Sequence, residues 1–448
     1  MPRQKLFPLL LASLCLLAAS VRAENSIAWD AKTERLTVAL DERPLGELLE
    51  KITTATGWEI FLEPGTTRTV SARFKNQPLG EGLRSLLGEL SYALVPQSNA
   101  APRLYVFHTS LRAATQRVTT IEMRVAKDDT GKPIPNQLIV TVKPGTDIEA
   151  LAAKLGAKVI GRVAGLNTYL LEFPDAATAA TAFASLKENS QVAAVDYNYR
   201  MAEPIAPATY TASGLPSLNA TALGDGAVTI GLIDTGFDPN SYCGLSSFVS
   251  PAINITGSAG AAGNSPDHGA SMAYTIVRAS GGRAKILPVN VYGSSVNTST
   301  FYVASGIYAA VNAGANIINL SLGSQGDSTF LHTVIQRATA QGVVFLAAAG
   351  NEPVTTPTYP AAYGEVVAVT AGNRSGAVAA YANRGNFVDV VAPGASQVCY
   401  QGSSWVVAGT SAATAFASGL AATAAQSGNF NAAQVQAFIT NTLPHLAP

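Results

Sequence analysis

The chain has 448 residues, and its 29 Lys and Arg are balanced by 29 Asp and Glu. With no net charge there is no reason to expect nucleic acid or an anionic membrane surface as a partner, so function must be sought in a site. At roughly 100–200 residues per domain the length predicts about three domains. Charged residues are only 13% of the whole and thin to fourteen from residue 206 onward, so an acid embedded in an apolar run there requires a chemical reason.

Residues 1–23, MPRQKLFPLLLASLCLLAASVRA, place Arg3 and Lys5 before an apolar stretch from Phe7 to Ala19 and end in VRA. This is the pattern of a signal peptide cut after Ala23. The apolar stretch is short for a membrane span, and no later run is long enough for one. Export to the periplasm or to the outside follows. It leaves the mature chain Cys243 and Cys399 in an oxidising compartment, either as a disulfide or as two buried thiols.

Residues 34–110 contain a weak repeat: RPLGELLEKITTATGWEI recurs 34 positions later as QPLGEGLRSLLGELSYAL. Each copy has Leu at helical spacing and then passes into a strand, and with RLTVAL, TVSARF and RLYVFH around them they predict a small α+β unit. His108, at the end of its last strand, is read as structural. The unit resembles the short N-terminal domain of secretins and TonB-dependent receptors, which implies a cell-envelope protein as its partner.

After the polar stretch KDDTGKPIPN, residues 134–200 predict strand, helix, strand, helix, strand, from QLIVTVKPG to VAAVDYNYR. From its residues alone this second α+β unit is a small binding module without chemistry. Residues 201–222, rich in Pro, Ala, Ser and Gly, read as an exposed linker open to proteolysis.

From 223 to 448 the runs AVTIGLID, KILPVNVY, ANIINLSLG, VVFLAAAGN, VVAVTA and VDVVAPG alternate with helical patterns such as TFYVASGIYAAVNAG and DSTFLHTVIQRATAQG. Strands apolar at consecutive positions are buried on both faces, which predicts an α/β fold with a parallel sheet flanked by helices. Reactive groups in such folds gather at the C-terminal ends of the strands. Asp234 ends the first run, Asn351 the fourth, and His268 stands where a turn gives way to a helix. Ser411 opens the small-residue helix of AGTSAATAFASGLAA. His332 falls in a surface helix and His445 near the terminus, leaving His268 as the suitably placed imidazole. A hydroxyl, a base, an anion to orient the base and a donor for an oxyanion are the parts of nucleophilic acyl transfer.

The blocks IGLIDTGFD, DHGASMA, SGIYAAVNAGANIINLSLGS, VVFLAAAGNEP, YPAAYGEVVAVTA, VDVVAPG and AGTSAATAFASGLAA resemble the subtilisin-like serine proteases, in the order Asp, His, Ser. The resemblance implies an exported endopeptidase acting on polypeptides: Asp234 orients His268, His268 is the general base, and Ser411 forms the acyl-enzyme. The Asn351 side chain and the Ser411 N–H bind the oxyanion. It further implies that Ser321, Leu322, Gly323 and Ser324 pair with the substrate backbone. Ala347, Ala348, Ala349 and Gly350 would wall a pocket with room for a large apolar side chain. The 134–200 unit resembles the propeptide of such proteases, which implies an intramolecular inhibitor cut off by self-processing between about 200 and 220. Relatives commonly bind structural calcium, but no clustered acidic loop is found among the eight acids from residue 206 onward. Two departures stand out: HGASM lacks the family's second histidine, and GTSAATAF lacks the proline and histidine that usually follow the serine. A catalytically weak or inactive envelope scaffold is the alternative reading.

Overall fold

Each of the six apolar runs is a strand of one seven-stranded sheet, all parallel, in the order Ile253–Asn254, Ala284–Asn290, Val228–Asp234, Ile317–Leu320, Val344–Ala348, Val366–Gly372, Val390–Pro393. The computed structural model describes residues 26–446 apart from 64–65, 67, 98–99, 108–113, 115, 119–128, 205, 207, 219–226, 258–265 and 427–430. The expected signal peptide and His108 lie outside the described residues. Along each strand successive side chains enter opposite layers, which is why these sequences are apolar without a break. Ile230, Leu232, Ile317, Val344 and Leu346 pack under the helices His268–Ala279, Thr410–Gln426 and Ala432–Thr442. Ile233, Ile318, Phe345 and Ala347 pack under Thr300–Asn312 and Thr329–Ala340.

The second unit begins at Pro133, inside the stretch read as a linker, and its last strand runs on to Ala202. Its four antiparallel strands carry the helices Ile148–Lys154 and Ala176–Lys187 on one face. The other face, with Ile139, Leu170 and Met201, packs against Phe301, Leu320 and Leu322 of the third unit. The sheet is extended across the boundary: Arg200, Met201 and Ala202 pair antiparallel with Ser299, Thr298 and Asn297. Two side chains on the same face of that strand cap helices of the third unit. Asp196 accepts from Phe330 N at 2.9 Å and Ser328 Oγ at 2.8 Å; Asn198 accepts from Phe301 N at 3.1 Å and Thr300 Oγ1 at 3.3 Å. Helix N-termini leave N–H groups unmatched and favour an acceptor there.

Residues 201–222 are not simply an exposed connection. Ala208–Thr211 form a strand paired with Ala408–Trp405 in the strand Ser403–Ala408, which pairs in turn with Ala395–Tyr400. The backbone groups of this short stretch are met by a sheet edge rather than by water. The first unit starts before residue 34: Ser26–Asp30 pairs with Arg35–Pro44, and the repeat appears as two helix-strand passages, Leu45–Thr56 into Glu59–Leu62 and Leu79–Leu87 into Ser91–Gln97. Pro44 and Pro78 precede the two helices and Gly57 and Gly88 close them, the asymmetry expected of helix ends.

Cys243 and Cys399 are joined in a disulfide, with Cα atoms 5.5 Å apart and 156 positions between them in sequence. A cross-link closing so long a loop acts mainly by restricting the unfolded chain. Replacing both by serine is expected to lower stability by about 3–5 kcal/mol, read as a fall in the denaturant midpoint; an unchanged midpoint would show that the link contributes nothing.

Candidate active site

The small-residue run around Ser411 packs a helix and also brings one to the site. The helix Thr410–Gln426 lies so close to His268–Ala279 that a Cβ on Gly419 would sit 2.6 Å from Ala279 Cβ and 2.7 Å from the Ile276 carbonyl. Ala412, Ala413, Ala415, Ala417 and Ala421 are all buried in the same layer. At its other end the His268 helix meets the turn after Asp234: a Cβ on Gly269 would fall 2.5 Å from the Thr235 carbonyl, and Gly269 N donates to Thr235 Oγ1 at 3.0 Å. Larger side chains at either contact would drive the base away from its partners.

Asp234 is 1% exposed. Its Oδ1 accepts from His268 Nδ1 at 2.7 Å and from Thr235 N at 2.7 Å. A buried carboxylate is costly, and these bonds offset that cost while directing the imidazole. Burial works to lower the His268 pKa, yet the charge and hydrogen bond of Asp234, with Glu203 beyond, outweigh it and hold the imidazole above its ordinary value. Burial, then Glu203 and Asp238, push the neighbouring Asp267 up to about 6. His268 Nε2 is buried without a hydrogen-bond partner.

Ser411 Oγ does not make that bond in this structure. It donates to the Ser321 carbonyl at 3.2 Å, while Ser321 Oγ donates to the Ser411 carbonyl at 3.2 Å. Ser321 belongs to a buried chain: Ser418 Oγ donates to Asn319 Oδ1 at 3.0 Å and Asn319 Nδ2 to Ser321 Oγ at 2.8 Å. This chain ties the Ser411 helix to the strand Ile317–Leu320. Free nucleophile–base contacts commonly tighten only when a substrate is bound.

Asn351 Oδ1 accepts from Thr410 N at 2.8 Å and Thr410 Oγ1 at 2.9 Å. Because an N–H must meet an oxygen, this assigns the amide orientation and leaves Nδ2 as the donor. The Ser411 N–H lies in the first turn of its helix, where N–H groups have no intrahelical acceptor. Two residues that the sequence reading passed over hold this arrangement. Thr410 was part of the GTS block but had no role there. Asn383, 3% exposed, lacked any signal. Its Nδ2 donates to the Ala349 carbonyl at 2.7 Å, its Oδ1 accepts from Glu352 N at 2.8 Å, and its N–H reaches the Gly350 carbonyl at 3.0 Å. It thereby secures the turn that carries Asn351.

The segment Ser321, Leu322, Gly323, Ser324 follows the strand Ile317–Leu320, but Ser324 is not open to a substrate backbone: its N–H and C=O both pair with Tyr359, at 2.9 and 2.7 Å. Ala347, Ala348 and Ala349 are buried. A cavity of about 150 Å³ is lined by His268 together with Glu203, Thr235, Asp267, Tyr292 and Val296 among others. Among the described residues no group of three or more His, Cys, Asp or Glu converges as metal ligands.

Comparison with known proteins bears on the same regions. The model of the subtilase family matches residues 225–447, and that of the fervidolysin N-terminal prodomain matches residues 119–198. Fervidolysin from Fervidobacterium pennivorans, described as a keratinolytic enzyme related to subtilisin, shares the fold with a TM-score of 0.53 at 20% identity, over 68% of this chain and 56% of that one. The alkaline protease of Alkalihalobacillus alcalophilus is 30% identical over 248 residues, 52% of this chain, and the chain spans 63% of that relative, less than two thirds. Subtilisin Savinase of Lederbergia lenta is also 30% identical over 248 residues, and there the match covers 88% of the relative; the chain belongs to the subtilase family.

Proposed function

We propose that the chain is the precursor of an exported serine endopeptidase whose first substrate is its own linker. The observation that carries the reading is the buried Asp234–His268 pair at 2.7 Å, set at the strand ends beside the Ser411 helix. In this reading Ser411 Oγ turns from the Ser321 carbonyl to His268 Nε2 and attacks the scissile carbonyl. The imidazole takes the hydroxyl proton and returns it to the leaving amine; water then repeats the sequence on the acyl-enzyme. Asn351 Nδ2 and the Ser411 N–H receive the oxyanion, and loss of one such donor costs about 10²–10³ in turnover.

The path of the linker supports self-processing. Glu203 N donates to the Val296 carbonyl at 2.8 Å beside His268, and Ala208 pairs with Ala408, just before Gly409 and Ser411. The chain is thus held at Glu203 and again at Ala208 on the two sides of this stretch, which supports a cut in the linker between about 200 and 220. The second unit, docked through its last strand and its two helix caps, is then the intramolecular inhibitor. The pattern of residues 1–23 supports export, and no helix of the described residues is long and apolar enough to cross a membrane.

Wild type should yield a shortened mature band and label with a serine-directed fluorophosphonate, and Ser411→Ala should do neither. An unlabelled wild type that stays full length would overturn the reading and favour the inert scaffold. The base must be neutral to act, so self-cleavage should rise with pH through the His268 pKa, above about 6.5. Replacing the Glu203 carboxylate removes a neighbour that stabilises the imidazolium, so in Glu203→Gln the acidic limb of cleavage rate against pH should move to lower pH. A limb that stays in place would show that Glu203 does not act on the base.

A further inference from the structure

Trp405 lies in the middle strand of the three-stranded sheet, paired with Thr211 on one side and Val398 on the other, and is 5% exposed. The face of its ring is covered by the first unit of the chain. The guanidinium carbon of Arg103 stands 4.2 Å from the Trp405 ring centroid. Arg103 comes from the strand Ala100–Phe107, opposite Glu59, whose carboxylate accepts from its Nε at 2.7 Å. It is 1% exposed, and both terminal nitrogens are buried without a hydrogen-bond partner.

A guanidinium stripped of water is costly, and a single carboxylate with one bond leaves most of its donors unmatched. Stacking on a tryptophan face is what it gains in return, and that attraction is strongest when desolvated. Within its own unit Arg103 has Glu59 and the more distant ring of Phe61, at 6.0 Å. The nearer ring belongs to the peptidase unit. Arg103 is therefore built as a docking residue for the strand that leads into Gly409 and Ser411.

We propose that the partner of residues 26–118 is the chain's own peptidase unit, and that Arg103 on Trp405 makes the leader a two-point inhibitor. This rests on the self-processing reading above. One point is the second unit, with its strand on Asn297–Ser299 and its caps Asp196 and Asn198; the other is Arg103. The two points belong to one polypeptide, so when either lets go the other holds it at high effective concentration, and release of the cut leader is slowed.

The test compares wild-type and Arg103→Met precursors, which yield mature peptidases of identical sequence. The delay between appearance of the cut band and appearance of activity on a reporter peptide measures leader release. Arg103→Met should shorten that delay about tenfold, with the final kcat/KM unchanged; an equal delay overturns the proposal. Should Arg103→Met fail to fold or cleave, Trp405→Phe, normalised to its own final activity, must shorten the delay, and an unaltered delay there overturns it as well. If wild type does not self-cleave, the peptidase reading fails on its own. The contact is then read in the uncut chain by hydrogen exchange over residues 403–408. Exchange at least fivefold faster in Arg103→Met upholds the docking, and equal exchange sinks it.

Discussion

The structure depends on how closely two helices can approach. His268 stands at the start of one and Ser411 in the first turn of the other, and the residues at the crossing are Gly419, Ala279 and their small neighbours. Interiors pack at crystal-like density, so a side chain at Gly419 would be felt as a shift of the imidazole relative to the hydroxyl. The run that looks merely bland in sequence therefore sets the spacing of the imidazole and the hydroxyl. The buried Asp234 then fixes the ring, since a carboxylate that is 1% exposed requires partners, and it takes His268 Nδ1 together with Thr235 N.

Around this crossing the rest of the molecule is arranged as restraint. Thr410 does two tasks from one position: its backbone starts the Ser411 helix while its N–H and hydroxyl aim the Asn351 amide. Asn383 secures the turn from behind. The second unit caps the helices Thr300–Asn312 and Thr329–Ala340 and lends its strand to Asn297–Ser299. Burial raises the Asp196 pKa against the bonds that favour its charge at the start of Thr329–Ala340. The linker is held at Glu203 by the Val296 carbonyl and at Ala208–Thr211 by the strand Ser403–Ala408.

The absences noted at the serine have a physical counterpart. Where relatives place a proline and a histidine behind the nucleophile, this chain has Ala415 and Phe416. The helix is anchored instead through the Ser418, Asn319 and Ser321 hydrogen bonds to the backbone of Ser411. A buried polar chain of this kind is stiff when every member is satisfied.

Much of the α/β unit was readable from residues alone. Short continuous apolar runs rich in Val and Ile and bounded by turn residues fit strands buried on both faces. The four polar residues stood out because an uncharged, apolar stretch makes each of them expensive. What the sequence could not carry were contacts across distance: Thr410 on Asn351, Asn383 on the Ala349 carbonyl, Tyr359 closing over Ser324, Ala208 on Ala408, Arg103 on Trp405. Periodicity and composition record only whether a side chain faces a core or water. Which buried group meets which is decided by the crossing of elements far apart in the chain, and so the choice of candidate residues was local information while their mutual geometry belonged to the tertiary fold.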